Sequence, residues 1–346
     1  LTLDDTRMRW LCAGVLLGGL GQMTLPAIDL GRAGWRPKFD LRLTGAVRSI
    51  LLLMGPTALG SAIYLINTSV SRLIGLSLSD SAAAILNLAS RLIELPIGVF
   101  AIAVTTVVFP LISRHASRGD WDQMATAYHK GMRLILAVNV PAAIGMTILA
   151  APIIRVLFER GQFTADNTAE MVPVLGVFAI GLPVLGFVSL LIRAFYAQKD
   201  TKTPVQAAFV SFLVNIGLCF ALMGPLGSVG LAMAGTISIF VQAGWLQMKL
   251  SRSRPELKVT ALRGDFGKIL IGGLVMGLVV WAGHHGFETL AAGWWIDLLE
   301  LLTLISLGAF VFGLTGYALK LEGRDEIMEL LKGRRKSSNQ STGESS

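Results

Sequence analysis

NLASRLIELPIGVFAIAVTTVVFP, residues 87–110, is an apolar run of membrane length that carries one arginine, Arg91, and one glutamate, Glu94. A spacing of three residues puts the two on one face of an α-helix. About 20 residues at 1.5 Å each cross a hydrocarbon core of ~30 Å, and a charge at the middle of that core costs at least about 2.5–3.5 kcal/mol. Charged residues on membrane helices therefore face a water-filled cavity or a polar ligand. Arg91 is accordingly the leading candidate for an anion-binding group, oriented by Glu94. Its depth stays open: counted from Ser81 it lies about 15 Å down the helix, whereas Leu95 to Ser113 is long enough to span alone and would let Arg91 snorkel at the outer interface. An internal ion pair that braces the bundle is the competing reading. Pro96 and Gly98, one turn on, mark a kink.

The rest of the chain has the same character. Hydrophobic residues fill 53% of the 346 positions and charged residues 15%, against roughly a quarter charged in a soluble domain. Nearly charge-free stretches run 11–28, 49–71, 95–113 with an upstream extension to about 81, 134–154, 171–192, 203–223, 227–248, 269–287 and 301–319. The fold class that follows is all-α, a polytopic integral membrane protein of about nine transmembrane helices. The charge-free region 203–248 is divided at Gly224-Pro225-Leu226-Gly227, a cluster that ends a helix.

The net charge of +8 is a matter of topology and not a nucleic-acid footprint. Of the thirty Lys and Arg residues, 24 fall in loops on one side of the nine spans, between Arg32 and Arg48, Arg114 and Arg133, Arg193 and Lys202, Lys249 and Lys268, and Lys320 and Lys336. The positive-inside rule puts that side and the C-terminus in the cytoplasm. Residue 1 then lies outside, and the opening LTLDD has neither Met nor the basic region of a signal peptide. The sequence is therefore expected to be a fragment that lacks an odd number of upstream helices.

The polar residues of the spans supply the remaining candidates. Asn67 on the second span and Asn87 on the third join Arg91 and Glu94 as candidate cavity-lining residues, with bonding between helices as the alternative for Asn67. Asn215 and Thr236, on the sixth and seventh, are candidates for a coupling-cation site, with bonding between helices as the alternative. Gly14 and Gly18, and Gly273 and Gly277, have the spacing of close helix packing. Thr164 and Asn167 read as a capped helix start. Cys12 and Cys219 form no disulfide or zinc pattern, and His284-His285 is too isolated for a metal. No P-loop, GxSxG or HExxH is present, so neither an ATPase engine nor an enzyme is indicated. Residues 320–346 combine a short amphipathic helix with a disordered tail.

RLIELPIGVFAIAVTTVVFPLISRHAS, VLFERGQFTADNT and RAFYAQKDTKTPV, in that order and in the loops this topology requires, resemble the MurJ/MviN family of lipid II flippases, within the multidrug/oligosaccharidyl-lipid/polysaccharide exporter superfamily. The resemblance implies two six-helix lobes around a cationic cavity, followed by two extra helices. Residues 1–30 would then be the last helix of the first lobe, 31–48 a basic cytoplasmic loop, 49–248 the second lobe, 249–268 a basic linker and 269–319 the extra pair, with most of the first lobe missing. It implies lipid II, an undecaprenyl-pyrophosphate-linked muropeptide, as the partner in the bacterial cytoplasmic membrane, and Arg91 and Glu94 as a cavity arginine and its neighbouring acid. No cofactor is implied beyond the membrane potential or a sodium ion, and Cys219 stands where an acid of a sodium site is expected. The alternatives are a related exporter of polysaccharide-linked lipid or drugs, a polyprenyl-phosphate enzyme, and a partial transporter without activity.

Overall fold

The structure, a computed structural model, describes residues 5–32, 34, 45–98, 102–288 and 293–319. The expected amphipathic helix and tail at 320–346, and most of the basic loop at 31–48, lie outside the described residues. The described residues are helices joined by short turns, with no strand among them. Two compact units are formed, residues 1–52 and 53–346.

The first unit holds α1, Asp5–Arg32, and the start of α2, Gly45–Leu78. Val15, Leu16 and Leu17 of α1 are exposed, and a Cβ on Gly14 or Gly18 would meet nothing within 4 Å. The small-residue face read from the sequence thus has no partner among the described residues of this unit.

The second unit continues through α3, Asp80–Pro96, α4, Ile102–Arg118, α5, Trp121–Ile148, α6, Ala150–Phe158, α7, Ala165–Ala197, α8, Lys202–Ser253, α9, Arg263–Glu288, and α10, Trp294–Ala318. Its centre is α7, which packs against α3, α4, α5, α6 and α8. Two apolar clusters meet along that helix. Towards its start, Ile85, Ala89, Leu92 and Ile93 of α3 pack with Met171, Val174, Leu175, Ala179 and Leu182. Towards its end, Val108 and Ile112 of α4 and Tyr128, Met132 and Ile135 of α5 pack with Leu190, Leu191 and Phe195. The side chain of Asn167 accepts from the Thr164 backbone at 3.0 Å, which caps α7 as the sequence indicated.

By length and composition six helices among the described residues can cross a membrane, within Cys12–Arg32, Trp121–Ile148, Ala165–Ala197, Lys202–Ser253, Pro255–Phe287 and Trp294–Ala318. The sequence reading of nine spans divides the chain more finely. Its third span comprises α3 and α4, of 17 residues each; Ile97 and Gly98 continue the helical backbone past Pro96, and residues 99–101 between the two helices lie outside the described residues. Its fourth passes unbroken through Pro141 and ends at Leu149, before the short α6. The 52-residue α8 is folded on itself: Gly227 leaves helical geometry at φ 54° and ψ −131°. Ser211 bonds the Ser238 carbonyl across the fold, and Gly230 lies against the Leu222 carbonyl. The division chosen at residues 224–227 is where this hairpin turns.

The C-terminal helices are joined to α5 and α6 at several levels. A Cβ on Gly277 would come within 2.7 Å of Ile144, and one on Gly273 within 2.8 Å, so this GxxxG face lets α5 and α9 approach closely. Arg133 pairs with Asp265 at 2.8 Å and Arg155 with Asp297 at 2.8 Å. Trp294 Nε1 donates to the Val156 carbonyl, and His284 is paired with Glu300.

Two outcomes follow for stability. Gly227→Ala forces a side chain into a backbone region that L-residues rarely adopt, at a cost of about 1–3 kcal/mol; its denaturation midpoint in detergent should fall by several degrees, and an unchanged midpoint would contradict the strained turn. Asp265→Asn removes the carboxylate charge that the Arg133 guanidinium, 20% exposed, reaches at 2.8 Å. That loss is about 2–3 kcal/mol, which denaturant unfolding of the purified chain can read.

Candidate functional site

Helix α3 is amphipathic in the plainest sense. Ser79, in extended conformation, caps it by accepting from the Ala82 backbone at 3.0 Å. Ala82, Ile85, Ala89 and Leu92 are then buried at helical spacing against α7. Asn87, Arg91 and Glu94 follow one another at intervals of four and three residues, so they form a single stripe on another face. Arg91 Nη1 donates to Glu94 Oε2 at 3.0 Å, and the two side chains stay 64% and 55% exposed. The pair lies on the surface of the unit and does not brace its core.

Asn87 brings in a second arginine, from the neighbouring helix. Arg72 lies inside α2, and its Nη2 donates to Asn87 Oδ1 at 3.2 Å. Two guanidiniums and one carboxylate therefore share the stripe, which is cationic. The signal available was the run from 71 to 78, which has no proline and nothing to end the helix before Ser79.

Asn67 is turned elsewhere. Asn215 Nδ2 donates to Asn67 Oδ1 at 2.7 Å and to Ser71 Oγ at 3.0 Å, while Cys219 Sγ stands 3.7 Å from Asn215 Oδ1. This ties α8 to α2 on a face away from Arg72, since five residues of helix turn the chain by about 140°. Thr236, buried, donates to the Val177 carbonyl of α7 at 3.2 Å. Asn215 and Thr236 thus bond different neighbours. Around Asn215 the oxygens are neutral: Asn67 Oδ1 and Ser71 Oγ accept from its amide, and its own Oδ1 faces the Cys219 thiol. Among the described residues no group of three or more His, Cys, Asp or Glu could hold a metal ion.

Chemically, an exposed cationic stripe of this kind suits a multiply charged oxyanion. Each guanidinium presents a planar fork of donors that matches phosphate oxygens. Glu94 holds one fork in place and keeps the stripe's net charge small.

Comparison with known proteins gives the same direction. Residues 2–299 match the family model described as lipid II flippase MurJ. A probable lipid II flippase MurJ of Rhizobium meliloti is 32% identical over 274 residues, 79% of this chain and 46% of that protein. One of Haemophilus influenzae is 32% identical over 315 residues, 88% of this chain and 61% of that protein. A solved lipid II flippase MurJ in an inward closed conformation aligns with a TM-score of 0.65 at 26% identity, over 84% of this chain and 57% of that one. An outward-facing multidrug resistance MATE transporter aligns with a TM-score of 0.54 at 14% identity, over 81% of this chain and 67% of that one, a likeness of fold alone. This chain spans about half to three fifths of the length of the MurJ relatives. With a family model matched over most of its residues and relatives identical at about a third of aligned positions, the chain belongs to the MurJ lipid II flippase family.

Proposed function

We propose that this chain forms the second lobe and adjoining helices of a flippase that carries lipid II from the inner to the outer leaflet of the bacterial cytoplasmic membrane. The observation that carries the reading is the exposed stripe of Arg72, Asn87, Arg91 and Glu94 on helices otherwise built for hydrocarbon. In this proposal the stripe faces a water-filled cavity and its guanidiniums take the diphosphate of the substrate. The cavity spares the headgroup the desolvation that bare hydrocarbon would impose. Rocking of two lobes about it exposes the substrate first to one side and then to the other. The step is transport, and no group is assigned a catalytic role.

Several further parts belong to the same proposal. Residues 1–30 would close the first lobe, 49–248 form the second, and 269–319 add the extra pair, with the Lys- and Arg-rich loops and the C-terminus in the cytoplasm. The drive is the membrane potential. An inside-negative potential favours outward movement of an anionic headgroup by about 2.3 kcal/mol per charge per 100 mV. Sodium coupling stays the weaker option, because Cys219 replaces the expected acid and Asn215 is already bonded to Asn67 and Ser71. Asn67 then serves the cavity only indirectly, by fixing α2 to α8.

The test uses the protein expressed from its native gene in cells depleted of their own lipid II flippase. Arg91 is 64% exposed, so its truncation should change stability by no more than about 0.5 kcal/mol, and membrane abundance should hold. Growth should be lost with Arg91→Ala and partly kept with Arg91→Lys, which retains the charge without the fork. Full growth with Ala would remove Arg91 from the transport path.

A further inference from the structure

Arg193 differs from Arg91, Arg133 and Arg155, which each reach a carboxylate, and from Arg72, which bonds the Asn87 side chain on another helix. Arg193, half-buried in the last turns of α7, has no such partner among the described residues. Its bonds run from Nη1 alone, to the carbonyl of Ser189 at 3.2 Å and to the hydroxyl of the same residue. That anchors one arm of the fork and leaves the rest without a protein acceptor among the described residues.

The same guanidinium lines a cavity of about 370 Å³ together with Phe109 of α4, Ser189, Ile192 and Tyr196. The volume falls in the range of small-molecule sites. Its lining combines a cation and two hydroxyls with an aromatic ring and a branched aliphatic chain. A partly desolvated charge without a counter-ion is costly, and a ligand that supplies the anion offsets that cost. The cavity is separate from the stripe: Leu92 and Ile93, beside Arg91, share a core with Leu182. Leu182 precedes Arg193 by eleven residues, roughly 16 Å of helix. Arg193 sits instead at the end of α7 that leads into Lys199 and Lys202.

We propose that the Arg193 cavity is a second anion site, which binds the phosphate or diphosphate group of a lipid, with Phe109 and Ile192 against the first carbons of its chain. The proposal deepens the flippase reading and rests on it. A lipid phosphate held at the basic-loop end of α7 is engaged well away from the Arg91 stripe. The volume suits a headgroup phosphate and a short length of chain, not a sugar-peptide.

The site can be read by phenylglyoxal modification of arginines in the full chain in detergent, followed by peptide mass spectrometry, which scores Arg91 and Arg193 separately. Farnesyl diphosphate and phosphatidylglycerol are the two probes. Occupancy of the fork should slow modification of Arg193 about tenfold. Protection by the diphosphate alone assigns an isoprenoid ligand, and protection by both assigns any lipid phosphate; either supports the site. Lack of protection by either probe, or an Arg193 that is inert before any lipid is added, overturns it. Protection of Arg91 alone also removes this site, yet leaves the flippase reading standing, whereas protection of Arg193 alone supports the site and counts against the stripe. Calorimetric binding of farnesyl diphosphate gives the second measurement. Arg193→Gln should weaken it about tenfold, with partial recovery in Arg193→Lys, and equal affinity in all three chains would contradict the assignment.

Discussion

Hydrocarbon offers a guanidinium neither water nor a counter-ion, and the arginines of these helices meet that constraint in different ways. Arg133 and Arg155 are paired with Asp265 and Asp297, so their charges are spent on joining α5 and α6 to the C-terminal helices. Arg72 and Arg91 remain largely on the surface of α2 and α3, where Asn87 and Glu94 orient them without enclosing them. The first arrangement holds helices together. The second needs an aqueous or ligand-filled space beside it, and the functional reading depends on that need.

The packing makes this division possible. Helix α7 supplies a nearly continuous apolar surface to five neighbours, so α3 can bury one face completely and free the other for polar residues. Neutral polar groups are used in the same economical way. Ser211 and Thr236 bond backbone carbonyls, and Asn215 gathers Asn67 and Ser71, which secures contacts between helices where hydrophobic attraction is weak because lipid is as apolar as the side chains. Such bonds fix the frame on which the stripe is carried.

Much of this was legible in the sequence because it rests on local signals. Composition and run length identify a polytopic membrane protein, the glycine and proline cluster at 224–227 marks the hairpin, and the spacing of Arg91 and Glu94 puts them on one helix face within reach of each other. Asn87 was legible for the same reason, four residues before Arg91. Arg72 was not, because a charge at the edge of an apolar run looks like the start of a loop, and its value lies in a partner fifteen positions away. For Asn67 bonding between helices was one of the two readings, but its partner was not legible, since the bond to Asn215 joins residues 148 positions apart. The cavity at Arg193 was likewise invisible, since it needs Phe109 from another helix and the lack of a paired carboxylate among the described residues.

The central claim is that the stripe of α3 faces water at membrane depth. Single cysteines at positions 87, 91 and 94, in the protein expressed from its native gene and reconstituted in membranes, can be challenged with an anionic, membrane-impermeant thiosulfonate. The comparison positions are Ile85 and Ala89 on the buried face and Phe310, exposed on α10. The account predicts that the stripe reacts at least about tenfold faster than all three, because the thiolate forms only where water reaches it. Stripe positions that react no faster than Phe310 would contradict it.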